Sequence, residues 1–249
     1  MRFSTGAVRD YVPNGCGGPD LPATIPEARG FAAVFQMAGH QLFSHWENRD
    51  VWGSDFRETG GGDLEPQGGS DLVELYFFTG HGICQRSPQA TDPDFLVVCG
   101  RFGQPNVITI GKEIRWGNSR NGIQYAVIDA SCPMDLVSLA NSWFPVFQGM
   151  HIALGHSGNL SADTLDSADR GIVFAIRATG AFWFFPHQSV GDAWMDSGTI
   201  DIQSGCSAVA LAAGESRSDA IWRRDNETIG VHSTFNFTPA WFAWKWRTR

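Results

Sequence analysis

The feature that most constrains this chain is a series of short, nearly continuous apolar runs. Leu72-Val73-Glu74-Leu75-Tyr76-Phe77-Phe78 is the strongest. A run so rich in β-prone residues, with almost no polar alternation, suits a strand covered on both faces. Phe95-Leu96-Val97-Val98-Cys99, Val107-Ile108-Thr109-Ile110, Tyr125-Ala126-Val127-Ile128, Ile152-Ala153-Leu154 and Ala208-Val209-Ala210-Leu211 are of the same kind. Helical patterns alternate with them. Between Pro133 and Phe144, the residues Leu136, Val137, Ala140, Trp143 and Phe144 recur at three- and four-residue spacing. Ser161 is placed to cap a second helix running to about Ala178, and a third, short helix is expected from Ser189 through Trp194. Such alternation predicts a single α/β domain spanning 1–249, a three-layer α/β/α sandwich around a mostly parallel sheet. The first 30 residues, rich in Pro and Gly, read as an irregular arm, Phe31 to Met37 as the first strand, and the Gly-rich stretch 59–70 as a surface loop.

Composition narrows the function classes. With 249 residues, 43% hydrophobic and 18% charged, the chain can bury a sizeable core. A formal charge of −8 argues against nucleic acid as a partner, since phosphate binding needs clustered Lys and Arg; the tail Lys245, Arg247, Arg249 is too small to matter. The same acidity is compatible with a cationic substrate. No apolar run approaches a membrane span and the N-terminus lacks the apolar stretch of a signal peptide, so no membrane is expected. Five scattered cysteines without a Cys-x-x-Cys pair read as reduced thiols in a cytoplasm. No cofactor is implied, and no metal site: His40, His45 and Glu47 fit neither a finger nor a His-Glu-x-x-His helix.

Chemistry enters at two strand ends. Leu72–Phe78 runs into Thr79-Gly80-His81-Gly82, and Tyr125–Ile128 runs into Asp129-Ala130-Ser131-Cys132-Pro133. In open α/β sheets, functional groups gather beyond the carboxyl ends of the strands. Neighbouring strands would therefore bring His81 and Cys132 together as base and nucleophile. Pro133 suits the first position of a helix, and a thiol at a helix N-terminus has its pKa lowered. The backbone N–H groups of Gly82 and Cys132 are candidates for an oxyanion hole.

A strand ending in His-Gly, followed by one ending in Ala/Ser-Cys, resembles the caspase–legumain–gingipain group of cysteine peptidases. The separation, 132 − 81 = 51 residues, agrees with the roughly 50 of caspases. Trp52-Gly53-Ser54-Asp55-Phe56, Arg115-Trp116-Gly117 and Phe147-Gln148-Gly149-Met150-His151-Ile152-Ala153-Leu154-Gly155 further resemble an uncharacterised bacterial family placed near these peptidases. The resemblance implies a caspase-like fold and an endopeptidase with a His81–Cys132 dyad and an acyl-enzyme intermediate. Its substrate would be a peptide or protein; a small apolar molecule, processed by acyl transfer or cyclisation, is the alternative, and a non-catalytic binding module the third. Caspases carry Gln-Ala-Cys and legumains Glu-Ala-Cys, whereas here one extra residue separates Asp129 from Cys132.

Asp129, Ser131, His156 and Trp194 are the further substrate-binding candidates, with Asp129 a possible contributor to a pocket for Arg or Lys. His156, in Gly155-His156-Ser157-Gly158, sits at a strand end and could line the same cleft. His151, Asp50 and Asp55 read first as structural or solvated, and Cys16, Cys84, Cys99 and Cys206 as structural thiols, Cys84 standing out for its nearness to His81. Most of the ten tryptophans, including Trp241, Trp244 and Trp246, are expected to pack in the core.

Overall fold

The computed structural model describes residues 1–16, 18–57, 69–83, 95–99, 106–118, 122–160, 169–182, 185–200, 202, 205–230 and 237–248. Among them run the strands β1 (Arg2–Ala7), β2 (Gln41–Glu47), β3 (Leu75–Thr79), β4 (His81–Ile83), β5 (Phe95–Val97), β6 (Val107–Thr109), β7 (Tyr125–Asp129), β8 (Ile152–Ser157), β9 (Ser207–Gly214) and β10 (Trp241–Thr248). The helices are α1 (Tyr11–Asn14), α2 (Thr24–Met37), α3 (Ile110–Glu113), α4 (Leu139–Trp143), α5 (Asp169–Thr179), α6 (Val190–Ser197) and α7 (Arg217–Asn226).

Seven strands form one sheet in the order β10-β9-β8-β7-β3-β1-β2. The pairs from β2 to β8 are parallel; β9 and β10 close the far edge antiparallel. A mixed α/β fold with a mostly parallel sheet is therefore observed. Strand side chains alternate between faces, and here both faces are dry. Phe3, Leu75, Phe77, Tyr125, Val127, Ile152 and Leu154 pack with Phe31, Phe35, Phe174 and Trp194 from α2, α5 and α6. Tyr76, Phe78, Ala126, Ile128, Ala153, Val209 and Leu211 pack on the other side with Phe56, Trp116, Trp143 and Phe147. Two buried faces are why these strands read as unbroken apolar runs. A second, three-stranded antiparallel sheet, β4-β5-β6, starts at His81.

The N-terminal segment departs from expectation. Instead of an irregular arm, it supplies β1, held between β2 and β3. Its sequence hides this because its residues are small: a Cβ on Gly6 would stand 2.4 Å from the Tyr76 hydroxyl, so the sheet admits nothing larger there. Phe31–Met37 belongs to α2, not to a strand; Phe31 and Phe35, one helical turn apart, stack at 4.4 Å. The helix expected from Pro133 shrinks to Leu139–Trp143. Cys132 has φ +59°, outside the right-handed helix region, and Cys132 and Met134 donate their N–H groups to the carbonyls of Gly158 and His156. The chain after β7 thus stays paired to the β8 side and does not coil. Ser161 lies outside the described residues, and the helix it was expected to cap is described from Asp169. Ser189 caps α6 as expected, accepting from Asp192 N–H. On edge strand β10, Trp241, Trp244 and Trp246 are 51%, 43% and 55% exposed, so these three are not core residues.

Candidate active site

β3 and β7 are parallel neighbours, with Thr79 opposite Asp129. His81 follows two residues after Thr79 and Cys132 three after Asp129, at the same carboxyl edge of the sheet. The two chains stay in contact beyond the ladder: Gly80 N–H donates to the Asp129 carbonyl at 3.2 Å. A Cβ built on Gly82 would stand 2.0 Å from the Ser131 carbonyl oxygen, so only glycine lets the His81 segment cross the end of β7.

His81 is held from three sides. Its ring centroid is 4.4 Å from that of Tyr11, and its backbone N–H donates to the Tyr11 hydroxyl at 2.8 Å. That hydroxyl in turn donates to the Val97 carbonyl, and burial pushes the phenol pKa up, so it stays a neutral donor. On the other side Gly18 lies flat on the imidazole; a Cβ there would meet Cδ2 at 2.9 Å. At the ring's edge, Nε2 is 2.8 Å from the carbonyl oxygen of Pro19. A carbonyl only accepts, so Nε2 carries a hydrogen, which selects the tautomer whose lone pair is on Nδ1. Sequence reasoning missed Tyr11, Gly18 and Pro19 because they were assigned to the irregular arm. His81 also borders a cavity of about 350 Å³.

Cys132 is in a different state from the one expected. It is fully buried and disulfide-bonded, and Asn159 Oδ1 lies 3.9 Å from its sulfur. Its N–H is taken by the Gly158 carbonyl at 2.9 Å, which corrects the expectation that it points into an oxyanion hole. It begins no helix, so the helix-dipole argument for its acidity falls as well. It is, with Asn48, one of two non-glycine residues at positive φ among the described residues, a conformation that persists only where the surroundings enforce it. Cys16 and Cys99 form a second disulfide, 2.05 Å long, joining the segment after α1 to the end of β5. The expectation of reduced thiols is corrected: cysteines 83 residues apart in sequence meet because the N-terminal segment packs on the small sheet. Cys84 lies outside the described residues.

The other candidates belong to the interior. Asp129 is buried, bonded through Oδ2 to Arg170 Nε at 2.9 Å and bordered at Oδ1 by His156 Nε2 at 2.9 Å, the latter off the hydrogen-bond line. Glu27 completes this cluster, accepting from the Thr79 hydroxyl at 2.7 Å and Gly171 N–H at 3.1 Å. Burial, then the adjacent Asp129, push the Glu27 carboxyl well above the carboxylate range, and it shares its proton with Asp129. Burial opposes ionisation of Asp129 too, but the charge of Arg170, the Glu27 hydrogen bond and the nearby His156 ring outweigh it and hold Asp129 ionised. Burial lowers the His156 pKa and keeps the ring neutral. His156 lies tilted against Trp194, whose indole N–H donates to the Gly155 carbonyl at 2.9 Å, and the His156 Nδ1 faces Cys206 Sγ at 3.9 Å. The Ser131 hydroxyl is bonded at Leu160, accepting from its N–H and facing its carbonyl. Asp129, His156 and Trp194, expected to line the cleft, are thus buried, and Ser131 is bonded to the loop after β8. His151 is likewise internal, 2.5 Å from Glu227 Oε1. His45 is held between Thr5 and Glu47, and Asp55 is buried under Trp52 N–H. Asp50 is exposed.

Residues 7–246 match the model of a family described as a domain of unknown function, DUF6345. No curated protein matches the chain.

Proposed function

The chain belongs to the DUF6345 family, and from its site we propose a caspase-like, cysteine-dependent hydrolase, an endopeptidase held latent by oxidation of Cys132. One observation carries the reading: adjacent parallel strands β3 and β7 end at the same edge with His81 and Cys132 just beyond. Two more support it. The Pro19 carbonyl orients His81 and leaves Nδ1 as the basic nitrogen, the role a third group has in nucleophile–base pairs. Cys132 keeps a left-handed backbone, the kind of outlier that collects at functional turns. For the caspase-like, three-layer reading of the fold, the support is the strand order, the helices α2, α5 and α6 on one face, and the small sheet that starts at His81.

The chemistry begins with thiol–disulfide exchange. A dithiol reductant attacks the disulfide, leaves as its own cyclic disulfide, and frees Cys132 as a thiol. His81 Nδ1 takes the thiol proton, and the sulfur attacks the substrate carbonyl carbon as the C=O electron pair moves to oxygen. Collapse breaks the C–N bond, and His81 returns the proton to the departing amine. The thioester left on Cys132 is hydrolysed by water, deprotonated by the same ring, releasing the acid and the thiol. Gly82 N–H remains the oxyanion donor in this reading. Two disulfide-bonded sites favour an oxidising compartment over a reducing cytoplasm. No described helix is long and apolar enough to cross a membrane.

The test is peptide-library cleavage by oxidised and dithiol-reduced protein. Cleavage is expected only after reduction, and Cys132→Ala and His81→Ala are each expected to abolish it. Reduced, folded protein that cuts no peptide overturns the reading. One set of facts favours a second: a buried, oxidised Cys132 with its N–H already taken also fits a non-catalytic module that uses the cavity at His81 for binding.

A further inference from the structure

We infer that the cavity beside His81 is a specificity pocket for an uncharged aliphatic side chain of a peptide substrate. The inference rests on the reading of His81 as the catalytic base and names what that site selects.

The cavity, about 350 Å³, falls at the small end of the roughly 300–1,000 Å³ usual for ligand sites. Among the described residues it is walled by Cys16, Pro19, Ile83, Val97 and Val107, with His81 at its edge. Apart from that ring, none of these side chains carries a charge. Three of the wall's carbonyls are satisfied from within: Pro19 O by His81, Val97 O by the Tyr11 hydroxyl at 3.1 Å, and Cys16 O by Asn106 Nδ2 at 3.3 Å. Among the described residues a guest therefore meets mainly apolar side chains, with no carboxylate waiting for an ammonium and no Lys or Arg waiting for a carboxylate. The residue once expected to attract Arg or Lys, Asp129, is neutralised inside the sheet by Arg170. A charged side chain entering here would lose water without a partner, whereas each buried methylene strengthens binding about fourfold. The Cys16–Cys99 bridge fixes the wall against the small sheet, so the pocket is preformed.

The oxidised protein allows binding to be read without catalysis. The His81 ring resonances are followed by NMR during titration with the N-acetyl methylamides of leucine, lysine and aspartate, and with hexanoyl methylamide. The leucine compound is expected to shift His81 saturably and the charged pair to bind at least about tenfold more weakly. Val107→Trp, which fills the cavity, is expected to abolish the shift. Ile83 is 45% exposed, and Ile83→Asp is expected to favour the lysine compound instead. Equal or tighter binding of a charged compound, binding unaffected by either substitution, or tighter binding of the hexanoyl amide than of the leucine compound overturns the inference. If leucine binds as expected but reduced protein cleaves nothing, the hydrolase reading falls while the pocket stands. If reduced protein cleaves without preferring aliphatic residues, the pocket falls and the hydrolase stands.

Discussion

The carbonyl oxygen of Pro19 accepts the Nε2 proton of His81 at 2.8 Å, and Gly18, next to it, covers the imidazole face at φ +93°. One short segment thus sets both the tautomer and the tilt of the ring. Gly18→Ala would push a methyl to 2.9 Å from Cδ2 and impose a left-handed backbone on alanine, costing roughly 1–3 kcal/mol. In the native protein, nitrogen-15 NMR of His81 is expected to report a protonated Nε2 and an unprotonated Nδ1. In Gly18→Ala that pattern is expected to be lost, with peptide cleavage by the reduced enzyme falling about 10²-fold, the scale of a small misplacement of a reacting group. A variant with native NMR and native rate would remove Pro19 and Gly18 from the site.

Beneath the strand ends, Glu27 is kept protonated by burial and by Asp129. Its folded pKa is raised above the unfolded value of 4.5, so in the window between the two the folded state holds a proton that the unfolded state has released. Folding then binds protons, and this group's contribution to stability falls as pH rises through that window. Glu27→Gln keeps a neutral group that accepts from Gly171 N–H and donates to Asp129 without needing that proton. The variant's stability relative to wild type is expected to grow as pH is raised above 4.5, by at most about 1.4 kcal/mol per pH unit. Chemical denaturation at a series of pH values checks this. Parallel curves for the two proteins would mean that Glu27 is ionised in the fold.

β3, β7, β8 and β9 were legible because each is an apolar run buried on both faces. Their ends were legible too, since His81 and Cys132 need only strand order and the carboxyl-edge rule. β1 was not: Ser4, Thr5, Gly6 and Ala7 carry no apolar pattern, and what fixes them is the neighbour, Tyr76 over Gly6. Losing β1 meant losing the loop after it, and with it Tyr11, Gly18, Pro19 and the Cys16–Cys99 bridge. The charge cluster was missed for a related reason. Asp129, His156, Glu27 and Arg170 look like surface or cleft residues one at a time, and only their mutual neutralisation makes burial possible.

The Cys16–Cys99 bridge closes a separation of 83 residues, for which chain-entropy arguments give about 4.5 kcal/mol. The double substitution Cys16→Ser/Cys99→Ser is expected to lower the melting temperature by on the order of 10 °C. It should also loosen the wall of the cavity, so the leucine methylamide is expected to bind more weakly even where the protein remains folded. Calorimetry gives the first quantity and titration the second. An unchanged melting temperature would mean that the packing of the N-terminal segment holds without the covalent tie.

Cys206 provides the internal control for every experiment on Cys132. It is the free, buried thiol among the described residues, and burial, then the nearby Asp129, push its pKa up to about 11. At pH 8 only about one molecule in a thousand would carry the thiolate, the form that reacts with iodoacetamide. Its burial just before β9 and the His156 ring beside it further deny the reagent access. Native protein is therefore expected to be alkylated nowhere among the described residues before reduction. After mild reduction Cys132 should be modified well before Cys206, which should react only on unfolding. Peptide mass spectrometry after timed alkylation separates the two sites. If Cys206 reacts first, the accessible thiol of this protein lies just before β9, and the pairing of Cys132 with His81 loses its chemical basis.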